Sequence, residues 1–327
     1  MEIYSNIFFL LIIFNLIILY FFNFLIKKIN IYDLPDNVRK IHRKPIPLMG
    51  GVIFLLNTIL FFLLEFKNLS NLEIKIILCS LSFLIIGIAD DKYNLTPNIK
   101  FLALIIILSL FFYFVEDLII TNIKVYGFEI FLNKFVGVFF TITCILLFVN
   151  AFNLFDGINL QSSLYGFYLL LFLIFKGLFL ETLIVVTIPL LLIIYLNNKN
   201  KIFMGDSGTL FLGSIISLFI IANYTKFNFI EIDEIFLLMI LPGVDMLRLF
   251  VQRIYNHTNP FIGDREHLHH YLLLVYGYKF SITALIGISI SPMLLNFFID
   301  SKIVIIIFII FYVLMINYVK QKISKKI

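Results

Sequence analysis

Residues 72–94 read LEIKIILCSLSFLIIGIADDKYN. Nothing between Ile76 and Ala89 carries a charge, and the run stops on two adjacent aspartates, Asp90 and Asp91. A helix over 72–89 is about 27 Å long, close to the ~30 Å hydrocarbon core of a bilayer. The pattern of apolar run and polar island recurs along the whole chain. It predicts an all-α polytopic membrane protein of about eleven transmembrane helices, near 4–26, 50–66, 72–89, 99–118, 135–150, 162–176, 180–196, 209–223, 235–252, 279–298 and 303–319. Composition points the same way. The 327 residues are 61% hydrophobic and 14% charged, with a mean hydropathy of +1.05. A soluble domain carries roughly 25% charged residues, so a soluble globular fold is excluded. No internal repeat or separate soluble domain is visible, and 1–327 reads as one integral-membrane domain. Cys79 and Cys144 lie inside apolar runs and read as small buried hydrophobes, with no disulfide framework or metal motif.

Charge sets the expected orientation. No basic residue precedes the first span, whose only early charge is Glu2, and Lys27 and Lys28 follow it. It reads as a retained signal anchor with the N-terminus outside. Loops after odd-numbered spans then hold 18 of the 25 basic residues and the other side 7. That bias puts the C-terminus and all the polar islands in the cytoplasm. The net charge of +5 is therefore a topology feature, and no nucleic-acid partner is implied. On the other side, 119–134 alternates apolar and polar residues around Gly127, which suits a short hairpin or an irregular loop.

Five islands share the expected cytoplasmic side: RKIHRKPIPLMGG (39–51), ADDKYN (89–94), NAFNLFDGIN (150–159), FMGDSG (203–208) and NPFIGDREHLHH (259–270). Asp90 and Asp91 end a helix, where carboxylates oppose the macrodipole and repel each other; a metal, a lysine or both would relieve them. Asn150, Asn153, Asp156 and Asn159 recur every three residues, which on a helical turn would align oxygen ligands suited to Mg²⁺ or Mn²⁺. Asp206 or Ser207 could cap the eighth span, or that glycine-flanked helix start could receive a phosphate with Asp206 holding its cation. Asp245 and Arg248 are either a buried ion pair or the lining of a cavity, and Arg253 lies near enough to the surface to meet a phosphate. His267, His269 and His270 suit zinc or a diphosphate; no Cys or fourth ligand is nearby, and the oxygen-rich islands favour the second. Lys40, His42, Arg43 and Lys44 either meet anionic lipid or belong to the site, and Pro45, Pro47, Gly50 and Gly51 imply a fixed chain path there.

Taken together, in this order and on alternating loops, the five islands resemble the polyprenyl-phosphate N-acetylhexosamine-1-phosphate transferases (glycosyltransferase family 4) over nearly the whole chain. The His-Leu-His-His spacing and the RKIHRKPIP opening look like the WecA/TagO branch; the muramyl-pentapeptide branch carries three consecutive histidines. The resemblance implies transfer of a sugar-1-phosphate, GlcNAc-1-phosphate first among them, from a UDP-N-acetylhexosamine to polyprenyl phosphate, with release of UMP. It implies a Mg²⁺ or Mn²⁺ cofactor and a multi-pass enzyme of the bacterial inner membrane with a cytoplasmic active site. The implied role is to initiate O-antigen, teichoic-acid or capsule synthesis, and a homodimer is compatible with it. By motif, Asp206 and Asn153 are the candidate metal ligands and Asp90, Asp91, Asp156 and His269 the candidate catalytic groups. Lys40, His42, Asn150, Asn159, Arg253, His267 and His270 are the candidate substrate contacts. Two departures, Leu160-Gln161 after Asn159 and Leu48 in place of a frequent Arg, bear on substrate choice and remove no candidate catalytic group. The competing readings are a muramyl-pentapeptide transferase and, from another class, a polyprenyl-lipid transporter. Clustering at one face rather than the midplane speaks against a transporter.

Overall fold

The computed structural model describes residues 2–35, 44–258 and 265–325. It is almost entirely helical: α1 Glu2–Tyr20, α2 Phe22–Ile29, α3 Gly50–Glu65, α4 Asn71–Tyr93, α5 Pro97–Phe114, α6 Lys134–Leu154, α7 Gln161–Phe175, α8 Leu180–Asn198, α9 Gly205–Ala222, α10 Ile232–Tyr255, α11 Leu268–Tyr276, α12 Tyr278–Leu295 and α13 Ser301–Ser324. The two strand pairs are β1 Tyr32–Asp33 with β2 Ile46–Pro47, and β3 Asn122–Val125 with β4 Phe128–Phe131, both antiparallel.

Among the described residues, seven helices are long and apolar enough to cross a membrane, or eight if a bent pair is one span. Each of the eleven apolar segments falls on a helix. Those outside the seven or eight are α3 and α7, which are apolar but shorter, and α10, which carries Asp233, Glu234, Asp245, Arg248 and Arg253. The first segment is not one straight helix. α1 and α2 meet at Phe21 with a 68° bend, so α2, which ends on Lys27 and Lys28, leaves the α1 axis. The 119–134 segment is a hairpin: Lys124 pairs with Glu129, and Tyr126 and Gly127 both have positive φ at the turn. Two consecutive positive φ values match the twist of antiparallel strands.

The bundle is organised around α9. The apolar window of α9 is 89% buried, against 22% for α5 and 28% for α13, whose side chains face outward. Lipid is as apolar as leucine, so helices in a bilayer associate through close backbone approach and polar contacts. Both occur here. A Cβ on Gly51 would stand 2.3 Å from the Ser207 side chain, and one on Gly87 2.3 Å from Ser207 Cα; both glycines bring their helices onto the start of α9. Between α1 and α3, Asn15 and Asn57 exchange carboxamide hydrogen bonds of 2.7 and 3.2 Å. Leu48 bridges to Phe203, which ties the chain before α3 to the chain before α9. The 46–51, 89–94 and 203–208 segments thus meet at one end of the bundle.

Candidate active site

α4 ends on Asp90 and Asp91. Asn94 adopts a left-handed conformation, and its N–H returns to Asp90 O, so the chain turns sharply. Leu95 N–H donates to Asp90 Oδ1 at 2.8 Å, and Pro97 then opens α5. This fold-back places Lys100, one turn into α5, between two carboxylates. Its ammonium lies 2.7 Å from Asp90 Oδ2 and 2.6 Å from Asp206 Oδ2. Asn153, on the last turn of α6, donates to Asp206 Oδ1 at 2.8 Å and to Thr209 Oγ1 at 2.7 Å. Asp90, Lys100, Asp206 and Asn153 therefore form one connected network drawn from four helices.

Asp91 does something different. Its Oδ1 accepts from Asp206 N–H at 2.8 Å, and its Oδ2 from Ser207 N–H at 3.1 Å and Ser207 Oγ at 2.6 Å. Those are the free amides at the positive end of α9. Neither Asp206 nor Ser207 caps its own helix; α4 supplies the cap across the interface. The first α9 amides are held by Asp91 and do not face an open phosphate site.

The 150–159 island is also distributed differently from a single ligand row, because α6 stops at Leu154. Asn150 is exposed, with Nδ2 3.7 Å from Met246 Sδ. Asn153 meets Asp206. Asp156, past the helix end, accepts from Ser162 Oγ. Asn159 is bonded through its side chain to Asn200, and its carbonyl accepts from Tyr278 at 3.2 Å. The segment is clamped further by Asn197, which accepts from Leu160 N–H. What this rigid loop presents is Gly157, where an added Cβ would stand 1.8 Å from His269 Nε2. His269 is 2% exposed, its ring parallel to that of His267 (5.3 Å, 7°) and 4.2 Å from that of His270. Burial, then the charges of His270 and His267, push its basicity well below the histidine norm. His269 is therefore a neutral imidazole at pH 7, with Nδ1 buried and unpartnered among the described residues.

Asp156 carries a testable pH signature. Burial, against the Ser162 hydrogen bond and with the Asp206 and Asp91 charges, raises its carboxyl to about 7. The folded state thus prefers the protonated acid. Its stabilising effect is complete below the unfolded carboxyl range near 4 and is lost as pH rises through about 7. Asp156→Asn fixes the neutral form. Relative to wild type, the variant should gain stability between pH ~4 and ~7, by at most ~1.4 kcal/mol per pH unit. Parallel melting curves for the two proteins across that range would refute the protonated assignment.

Of the other candidates, His270 and Arg253 are half-buried, and Lys40 and His42 lie outside the described residues. Lys100 is the site group that sequence reasoning passed over; it counted there only toward topology. Its one available cue is its place just beyond Pro97, where the chain must turn back from the Asp pair. Thr209 gave no cue, since it meets Asn153 from a helix distant in sequence, and Ser207 meets Asp91 of α4 rather than capping its own helix.

Residues 74–224 match the family model described as glycosyl transferase family 4. Over that stretch, a little under half of the 327 residues, the chain is similar to that family. The matched stretch holds the Asp90–Lys100–Asp206–Asn153 network together with Asp91 and Asp156. The chain is 28% identical over 286 residues to a probable undecaprenyl-phosphate N-acetylglucosaminyl 1-phosphate transferase of Bacillus subtilis (strain 168), covering 79% of this chain and 78% of that one. It is 26% identical to the undecaprenyl-phosphate alpha-N-acetylglucosaminyl 1-phosphate transferase of Salmonella typhi, over 75% of this chain and 70% of the relative. The enzyme of the same name from Escherichia coli (strain K12) is 26% identical over 80% and 74%.

Proposed function

We propose that this protein transfers a sugar-1-phosphate, GlcNAc-1-phosphate in the simplest case, from a UDP-sugar to undecaprenyl phosphate and releases UMP. The observation that carries the reading is the Asp90–Lys100–Asp206–Asn153 network at one end of a membrane bundle. The names of similar proteins give the acceptor, undecaprenyl phosphate, and the transferred group, N-acetylglucosaminyl 1-phosphate. In this reading a phosphate oxygen of the lipid attacks the sugar-side phosphorus of the donor. The bond from that phosphorus to the bridging oxygen breaks, UMP leaves, and one diphosphate replaces another. Phosphoryl transfer of this kind needs positioning and charge stabilisation more than covalent help from the protein.

A divalent cation fits the residues present. Asp90 and Asp206 turn carboxylate oxygens toward one point, bridged there by the single Lys100 ammonium, and Asp206 also accepts from the Asn153 amide. Mg²⁺ or Mn²⁺ held by Asp206 and Asn153, with the Asn153 carboxamide turned to present Oδ1, would neutralise the donor diphosphate. Lys100 supplies a fixed positive charge in the same space. Asp91 holds the start of α9, and so Asp206, in place. His267, His269 and His270 would contact the donor, with His269 packed against Gly157. Asn150, Asn159, Arg253, Lys40 and His42 complete the proposed substrate contacts.

The proposal extends to the setting. Residues 1–327 act as one transferase domain with about eleven spans in the bacterial inner membrane, N-terminus outside and site in the cytoplasm. The lipid product initiates a cell-envelope glycan, and a homodimer is compatible with this arrangement. The 18-to-7 distribution of basic residues motivates the orientation. The test uses sealed right-side-out vesicles with undecaprenyl phosphate, Mg²⁺ and radiolabelled UDP-GlcNAc. Label should enter the lipid fraction only after permeabilisation, with UMP as the nucleotide product and added UMP driving reversal. UDP as product would overturn the chemistry; labelling without permeabilisation would overturn the orientation.

A further inference from the structure

Asp245 lies inside α10 with its side chain 5% exposed, and the transfer chemistry above does not use it. A buried carboxylate in a membrane helix is costly unless it is paired and hydrogen-bonded. Here both oxygens are engaged, by four donors in all. Oδ1 accepts from Arg248 at 3.0 Å, from the Tyr312 hydroxyl at 2.6 Å and from Leu268 N–H at 3.3 Å. Oδ2 lies 2.7 Å from His267 Nδ1. The nearby nitrogen of His269 brings three ligand-type groups within 4.8 Å of one another, a spacing that would admit a metal ion. The saturation of Asp245 argues against that use, because a cation would have to displace four donors from it.

Saturation instead suits an orienting role. Arg248 also donates to Glu266 O at 2.6 Å, so the His267 loop is fastened to α10 at two points, and Arg248 Nε meets Tyr312 at 2.8 Å on α13. A carboxylate on Nδ1 requires that nitrogen to carry the proton. It leaves Nε2 as the only ring nitrogen able to meet a substrate, and fixes where it points. We propose that Asp245, braced by Arg248 and Tyr312, is a positioning residue that locks the ring of His267 in the tautomer and orientation needed to contact the donor diphosphate. This rests on the transferase reading for its substrate, and the stacked His267–His269 pair connects it to Gly157.

Asp245→Asn keeps the shape but presents either an acceptor or a donor to Nδ1 without a charge, releasing the tautomer. In the full-length protein in detergent, turnover should fall on the order of 10²-fold, as should that of His267→Ala. The decisive reading is the double variant: Asp245→Asn added to His267→Ala should cost less than about twofold more, because Asp245 acts through the ring it holds. A purely structural Asp245 would give losses that multiply. That result, or wild-type turnover in Asp245→Asn, overturns the proposal. Should Asp245→Asn not fold, Tyr312→Phe takes its place in the cycle, with a several-fold loss that His267→Ala likewise abolishes. The cycle is also read on the affinity for UDP-GlcNAc by calorimetry. Donor binding without turnover in wild type would sink the transferase reading, and the binding cycle would still decide the fate of Asp245. Absence of both binding and turnover would overturn the two together.

Discussion

Asp206→Asn should lower sugar-phosphate transfer by ~10³-fold or more and leave the protein folded, with a melting temperature within a few degrees of wild type. The Asp206 carboxylate is shared: Lys100 lies 2.6 Å from Oδ2, and Asn153 donates to Oδ1 at 2.8 Å. A carboxamide has one acceptor and one donor. Whichever way it turns, its N–H₂ faces either the Lys100 ammonium or the Asn153 amide, donor against donor. The charge that would hold a divalent cation is also gone. The fold does not depend on this side chain. Lys100 keeps Asp90 at 2.7 Å, and the cap of α9 uses the backbone N–H of Asp206, which the substitution retains. Asp91→Asn should behave in the opposite way. It weakens the cap and costs about 1 kcal/mol of stability, with its effect on turnover following from a shifted α9. Turnover of Asp206→Asn near the wild-type rate would remove Asp206 from the chemistry and leave it a partner of Lys100.

The membrane class and the islands were legible because both rest on local properties. An apolar run of bilayer length has few stable options, and polar residues that interrupt such runs collect at their ends. What escaped the reading is tertiary. No Pro or Gly stands at Phe21, so nothing local marks the 68° bend between α1 and α2. The three-residue spacing from Asn150 to Asn159 implied one face, but α6 ends at Leu154, and the four side chains part toward Met246, Asp206, Ser162 and Asn200. The sequence pointed to a missing cation beside Asp90 and Asp91. The lysine that meets Asp90 lies across a turn, and Asp91 is compensated by amide and hydroxyl donors at the start of α9. Each case depends on which helix packs where, which no window of sequence encodes.

Gly157→Ala should reduce turnover by on the order of 10²-fold, the size expected when a reacting group is displaced by about 1 Å, and cost about 1–3 kcal/mol of stability through overpacking. The φ of Gly157 lies outside the left-handed region, so alanine can adopt the backbone and the whole effect is steric. The new methyl would stand 1.8 Å from His269 Nε2 and 2.4 Å from the adjacent ring carbons. The loop cannot retreat far, since Asn159 is held by Asn200 and Tyr278, and Leu160 by Asn197. The ring must move instead, away from its place beside His267 and His270. Gly177 offers the contrast. Its φ is +82° and nothing lies within 4 Å of its would-be Cβ. Gly177→Ala should therefore cost about 1 kcal/mol of stability and leave turnover intact. If Gly157 acts only by making room for His269, then Gly157→Ala added to His269→Ala should cost nothing further, because the clash has gone. Wild-type turnover in the single variant, or a full additional loss in the double, would mean that the site does not rely on the contact between Gly157 and His269.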